Sequence, residues 1–422
     1  MTSHKQIGVF LYDVNMLLLS RLFTKTSKES AADAGSINAD LLTRAGFIHK
    51  TMAGVYSFLP LGLKVLRKIE TIIREEMDAL GAHELLLSAL SPKEVWEQTG
   101  RWEGFDALFK VPAHSSSSQA TKNEYGLNPT HEEVVTPLVK HFVQSHKDLP
   151  FGCYQIQTKF RNEPRAKSGL LRGREFGMKD LYSFHTDQTS LDQYYERVAE
   201  AYRQIFKRLE LADAMYYTTA TGGTFSPFSH EFQVLLPQGE DTIYVNEEAE
   251  KKGNRIAVNK EIYKGEKGFR EEHAAEAANI FKLGTRFSDP FKLQFANQKG
   301  ELHPILMGCY GMGTTRLLGI CAEFFADTSG LIWPASIAPF QYHIIPIARS
   351  PEDDTFQKAL AIAKKKKDCI VDDRLDLSVG QRLADADLMG LPTRIVISPK
   401  TLEKNSMEVK DRRTVTLTMQ PL

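Results

Sequence analysis

Between Gly62 and Leu80, apolar side chains return every three or four residues, at Leu63, Leu66, Ile69, Ile73, Met77 and Leu80, while charges fill the opposite face. That period predicts an amphipathic helix closed by Gly81, a residue type suited to a C-terminal cap. The same spacing at Tyr194, Val198, Ala201, Ile205 and Leu209 predicts a second helix over 191–212. Elsewhere the period changes. Residues 154–163 (YQIQTKFRNE) and 174–184 (REFGMKDLYSF) have strand character and enclose a polar middle containing Gly and Ser, which reads as an antiparallel hairpin with an ordered basic loop. Residues 307–323 (MGCYGMGTTRLLGICAE) read as a strand and a Gly-rich turn feeding a helix. From 41 to 61, short apolar pieces alternate with Gly and Pro, as a helix entering a turn would. Beyond a proline-stiffened linker at 333–339 (WPASIAP), strands at 342–347, 369–373 and 394–398 alternate with helices at 355–367 and 379–389. This predicts a compact α/β domain with a mixed sheet.

Composition changes this picture in few places. A chain of 422 residues is long enough for two or three domains and a sizeable core. Lys plus Arg and Asp plus Glu both total 53, so any surface for nucleic acid must come from local asymmetry. The four cysteines lie far apart with no CxxC pair and no zinc-type spacing to His, which favours reduced thiols and a cytoplasmic protein. No apolar run reaches the ~20 residues needed to span a bilayer. The segment Val14–Phe23 (VNMLLLSRLF) has some features of a transit peptide, but its apolar block is short and arginine is sparse, so organellar import is the weaker reading and Met16 an alternative start.

The candidate chemistry is concentrated in the hairpin. Residues 160–185 hold four arginines, two glutamates, Phe176 and Asp180. Guanidinium groups offer planar forks of donors to phosphate or carboxylate, and an aromatic face can stack on a nucleobase. A solvated charged hairpin is the plain alternative. Residues 127–136 (LNPTHEEVVT) open a helix with Thr130 as a possible cap and Glu132 and Glu133 in the first turn, where the dipole favours them. Residues 220–232 hold the pair Gly222-Gly223 and the run Ser229-His230-Glu231-Phe232, the latter equally readable as an ordinary strand start. The Ser-rich stretch 112–124 is loop in composition, and the four lysines ending the helix at 367 read most simply as a solvated helix end.

The hairpin resembles motif 2 of the class II aminoacyl-tRNA synthetases, in the form found in bacterial-type prolyl enzymes. Pro129-Thr130-His131-Glu132-Glu133 is similar to the amino-acid loop of the same family, and 307–323 resembles motif 3, arriving in the expected order. The resemblance implies an α+β fold. A class II antiparallel sheet flanked by helices would occupy 1–335, with motif 1 near 62–92, motif 2 near 155–185 and motif 3 near 305–323. A smaller α/β anticodon-binding domain with a mixed sheet would follow at 336–422. It implies activation of L-proline with ATP and Mg2+, transfer to tRNA(Pro), and a homodimer formed through motif 1. By the same resemblance, Arg161 bridges the α-phosphate and the proline carboxylate, Glu163 meets the adenine amino group, Arg172 the phosphates, and Arg316 the γ-phosphate. Phe176 stacks under adenine, Thr130 and Glu132 face the imino group, Gly222, Gly223 and His230 line the amino-acid pocket, and Glu231 is a candidate magnesium ligand. Two departures stand out. Ser88 occupies the position of the motif 1 proline. The charged stretch 247–270, where many bacterial relatives insert an editing domain, is too short to bury a core, so either the pocket discriminates by itself or a separate protein clears misacylated tRNA. The competing readings are a silent paralogue kept as a tRNA-binding or regulatory module, and a seryl or threonyl enzyme of the same class.

Overall fold

A computed structural model describes residues 16–30, 35–112, 124–223 and 225–422. Most of the Ser-rich stretch and the residues ahead of Met16 therefore lie outside the described residues. Strand β1 (Met16–Leu18) precedes helix α1 (Ile37–Arg44), and the first long element is α2 (Pro60–Ala79). Its opening proline is harmless there, because the first turn's N–H groups lack intrahelical partners anyway. One face of α2 buries Val65, Leu66, Ile69, Ile72, Ile73 and Met77, and Gly81 ends it at φ +77°. A two-residue strand, β2 (His83–Glu84), leads by way of α3 (Glu132–Lys140) to the hairpin of β3 (Phe151–Phe160) and β4 (Glu175–His185). Helix α4 (Gln188–Arg208), capped by Asp187, packs on α2. Five strands follow: β5 (Met215–Thr221), β6 (Phe228–Leu235), β7 (Asp241–Asn246), β8 (Ile256–Asn259) and β9 (Phe269–Gly284). β10 (Leu306–Gly313) then runs directly into α5 (Thr314–Phe324).

Among the described residues these strands form one nine-stranded sheet, in the order β6-β5-β8-β7-β9-β10-β4-β3-β2, with β6 also paired to β9. Most neighbours are antiparallel; β5–β8 and β2–β3 are parallel. The charged stretch near 247–270 does not stand apart. Its strands extend the sheet over a small core of Tyr216, Ile243, Val245, Ala257 and Ala274.

The C-terminal part places α6 (Asp354–Lys366) and α7 (Val379–Met389) against β11 (Tyr342–Pro346), β12 (Cys369–Val371), β13 (Thr393–Ile397), β14 (Ser406–Asp411) and β15 (Leu417–Pro421). The sheet is mixed, but its edge is unexpected. β1, from the opposite end of the chain, pairs in parallel with β12, giving the order β1-β12-β11-β13-β14-β15. The apolar segment read as a possible targeting signal therefore supplies an edge strand, and Ser20 just after it bonds Asp373 through both its amide and its hydroxyl. Arg412 grips Asp327 with two bonds of 2.7 Å across the two sheets' junction. All four cysteines are buried and unpaired. No described helix is long and apolar enough to cross a membrane.

Candidate active site

Alternation along a strand decides which side chains meet here. In β4, Phe176, Met178 and Asp180 face one way, whereas Lys179 and Leu181 face the helices. β10 pairs with β4 so that Met178 lies opposite Gly313 and Asp180 opposite Gly311. A side chain at Gly313 would press on Arg316 at 3.0 Å, and one at Gly311 on Met178 at 3.2 Å. Glycine at both positions keeps the floor of a cavity open. Arg316, in the first turn of α5, projects over that floor.

Two cavities adjoin at this point. The first, about 250 Å³, is lined by Arg161, Glu163, Leu170, Arg172, Phe176, Glu240, Asp241, Glu276 and Arg316, among others. The second, about 140 Å³, shares Arg161, Phe176, Glu276 and Arg316 with it and adds Thr130, Met178, Asp180, Phe225, Asn279 and Cys309. Arg161 thus stands at the junction. Among the described residues its guanidinium hydrogen-bonds only the Pro129 carbonyl, at 3.4 Å from two nitrogens, and lies 5.1 Å over the Phe176 ring. Burial and the neighbouring charge of Arg316 push its pKa down, against the opposing pull of Glu276 and Glu132. Arg316 donates to the Glu276 carbonyl at 2.6 Å and pairs with its carboxylate at 3.4 Å. Arg172 pairs with Glu163 at 3.0 Å and reaches Glu240 at 3.6 Å.

The Thr130 loop is held from below by a buried polar network. Lys159, fully enclosed, bonds Asp180 at 2.7 Å and the Nδ1 of His131 at 2.5 Å. Burial and Lys159 push His131 down to about 4, so the ring is neutral. With Nδ1 accepting, Nε2 donates to the Ser88 carbonyl at 2.9 Å. Asn128 donates to the same carbonyl at 2.8 Å. A proline at this position would offer that carbonyl equally, so serine there leaves the contact intact. Burial alone would raise Asp180, but the Lys159 charge and a hydrogen bond from Gln155 outweigh it and hold the carboxylate below its ordinary value.

The expected site residues divide into three groups. Arg161, Glu163, Arg172, Phe176 and Arg316 line the first cavity, and Thr130 the second. Glu132 does not line either. It is completely buried behind the second cavity, where it accepts from the Thr130 hydroxyl at 2.5 Å and the Cys309 thiol at 3.0 Å. Gly222 and Gly223 form a turn whose neighbour Phe225, not the glycines, reaches the pocket. His230 is brought elsewhere. It shares a hydrogen bond with the Tyr195 hydroxyl at 2.8 Å and stacks on Tyr217 at 4.4 Å, turned toward α4. Glu231 faces Asn259, Gln233 and Asn279, and burial together with Glu276 pushes its pKa up to about 8.

Sequence reasoning missed Glu240, Asp241, Glu276, Met178, Asp180, Phe225 and Cys309 as lining residues. Two signals were available. Met178 and Asp180 alternate in step with Phe176, and Glu276 is a lone carboxylate among alanines (HAAEAAN) in a strand.

Residues 109–325 match the family model described as tRNA synthetase class II core domain (G, H, P, S and T), and 341–420 match an anticodon binding domain. The proline–tRNA ligase of Anaplasma phagocytophilum is 36% identical over 415 residues, covering 94% of this chain and 96% of the relative. The corresponding protein of Bacillus cytotoxicus is 32% identical, covering 94% of this chain and 96% of its own; its alignment runs to 557 positions against the 422 residues here, so it carries long stretches without counterpart in this chain. Among solved structures, the prolyl-tRNA synthetase of Giardia lamblia in complex with prolyl-adenylate has the same fold, with a TM-score of 0.75 at 22% identity over 92% of this chain and 76% of that one. By domain matches, overall identity and fold, this chain belongs to the proline–tRNA ligase family of class II aminoacyl-tRNA synthetases.

Proposed function

We propose that this chain activates L-proline with ATP to prolyl-adenylate and pyrophosphate, then transfers the prolyl group to the terminal ribose hydroxyl of tRNA(Pro). One observation carries the reading: Arg161 and Arg316 share a single cavity that continues into a small pocket headed by Thr130. A nucleotide laid along the first cavity and an amino acid in the second would meet at Arg161. Its fork, held only by long bonds to the Pro129 carbonyl among the described residues, suits oxygens of both, the α-phosphate on one side and the carboxylate on the other. Arg316, with the N-terminus of α5 behind it, takes the γ-phosphate. Phe176 supplies a face for adenine, Glu163 accepts from its amino group, and Arg172 turns from Glu163 and Glu240 toward the phosphates. The reaction asks little of side-chain acids and bases; positioning and charge stabilisation of the in-line displacement carry the rate.

The proline imino group is received by Thr130. Because its hydroxyl hydrogen is committed to Glu132, its oxygen presents lone pairs to the pocket, and the enclosed carboxylate balances the substrate's positive charge. Phe225, carried by the Gly222-Gly223 turn, forms an apolar wall for the ring.

Among the described residues no three His, Cys, Asp or Glu side chains are grouped to hold a metal ion by themselves. Magnesium bound chiefly by phosphates needs only one or two protein carboxylates. Glu276 lines the first cavity and shares the Asn279 amide with Glu231 behind it, so this pair of carboxylates would hold the ion. Bound there with ATP, it would neutralise phosphate charge.

Residues 1–335 act as the catalytic unit and 336–422 bind the anticodon arm, in the cytoplasm. A homodimer forms around motif 1, where the edge strand β2 is followed by Leu86, 76% exposed. Correction of alanylated tRNA falls to a separate protein. The test is an ATP–pyrophosphate exchange panel with proline, alanine, serine and threonine. Proline is expected to dominate; exchange with none of the four would favour a silent paralogue, and preference for serine or threonine would replace the substrate.

A further inference from the structure

Arg101 lies one layer behind the amino-acid pocket, at the start of the turn Arg101–Gly104, and is 5% exposed. Its Nη1 donates to both oxygens of buried Glu133, at 2.9 and 3.1 Å, and lies 3.7 Å from Glu132. Among the described residues, its Nε and Nη2 have no hydrogen-bond partner. Aromatic faces surround them instead: Phe105 at 4.3 Å, Phe225 at 5.1 Å, Phe287 at 5.5 Å and Trp96 at 5.6 Å from the guanidinium carbon. Cation–π attraction replaces part of the missing hydrogen bonding.

This arrangement touches the pocket twice. Phe225 is one of its walls. Glu132 holds Thr130 and Cys309, which are two more. Charge counting shows why an arginine matters here. Glu132 and Glu133 are adjacent and both wholly buried, and two such carboxylates without a cation would share a proton. Burial and Glu132 do push Glu133 up, to about 7, even against the pull of Arg101. One guanidinium clamped on Glu133 satisfies that side chain and leaves the Glu132 carboxylate to Thr130 and Cys309. A secondary ammonium ion at Thr130 would face that carboxylate.

We propose that Arg101 is a positioning residue for the amino acid, which keeps Glu132 aimed at Thr130 through Glu133 and braces the Phe225 wall through its π face. The proposal rests on the proline-activating reading above and deepens it.

The experiment is proline-dependent exchange on the full chain carrying Arg101→Gln, Arg101→Lys or Glu133→Gln, with KM measured separately for proline and ATP, and with thermal melting of each variant. Wild-type exchange must first be present; its absence would overturn the functional reading, not this one. Arg101→Gln is expected to raise the KM for proline by roughly 100-fold while that for ATP moves less than about threefold, the signature of a lost buried charge partner. Arg101→Lys keeps the charge without the fork and should recover a part of that loss. Glu133→Gln frees Arg101 to neutralise Glu132 and should raise the proline KM by about tenfold with a melting point near wild type, so a poorly folding Arg101→Gln would not decide the matter. The proposal is overturned if Glu133→Gln and Arg101→Lys leave the proline KM unchanged, or if the KM values for both substrates rise together.

Discussion

Replacing Arg161 by alanine should separate activity from stability more cleanly than any other change in this chain. Among the described residues its guanidinium makes two hydrogen bonds, both at 3.4 Å to one carbonyl, the weak end of the range. Little structure depends on it. Burial and Arg316 disfavour its charge while Glu276 and Glu132 favour it, so its removal should cost the fold little. The melting temperature is expected to stay level or rise slightly. Activity should behave in the opposite way. Two charge-assisted bonds to substrate oxygens at ~1.5–3 kcal/mol each amount to ~3–6 kcal/mol, or roughly 10²–10⁴ in kcat/KM for proline-dependent exchange. Arg161→Lys retains the charge but not the planar fork, and should fall between alanine and wild type. The assay is isotopic ATP–pyrophosphate exchange on purified protein, with melting curves recorded alongside. Exchange within about tenfold of wild type, equivalent to ~1.4 kcal/mol, would refute the bridging role. A drop of several degrees in melting temperature would refute the claim that the side chain is structurally dispensable.

Two further outcomes follow from the geometry. A buried carboxyl raised in the folded protein favours the fold while protonated, so the contribution of Glu231 is complete below about 4.5 and is lost as pH rises through about 8. Glu231→Gln, neutral throughout, should therefore gain ~1–3 kcal/mol over wild type above pH 8 and nothing below pH 5, read by urea unfolding without nucleotide or divalent ions; an equal effect at both ends would contradict the assignment. At Gly222, a Cβ would meet the Ser226 carbonyl oxygen at 2.0 Å, so Gly222→Ala must displace the turn that carries Phe225. The KM for proline is expected to rise by about tenfold with that for ATP unchanged, as for a misplaced pocket wall; a reversed pattern would place Phe225 on the nucleotide side.

Local chemistry is strongly written in this sequence. The period of three to four residues through Leu66, Ile69, Ile73 and Met77 dictates a helix with one buried face whatever surrounds it, and the structure has α2 there. The alternation of 174–184 likewise dictates which residues share a face of β4, hence that Phe176, Met178 and Asp180 act together. Periodicity cannot say which remote strand becomes the neighbour. The meeting of Arg161 with Arg316 depends on β10 pairing with β4 in the register that sets Gly313 opposite Met178, a long-range choice settled by packing of the whole sheet. The same limit hid the docking of β1 on β12, where a short apolar strand satisfies an edge some 350 residues away. It also explains the misplaced expectations for His230 and Glu132. A strand position names a face, but only the assembled layers decide whether that face looks into a cavity, onto α4, or behind a threonine. Arg101 is the extreme case: nearby Trp96 and Phe105 alone would not distinguish it from a surface arginine, and its meaning comes from two glutamates and the rings of Phe225 and Phe287, brought from distant parts of the chain.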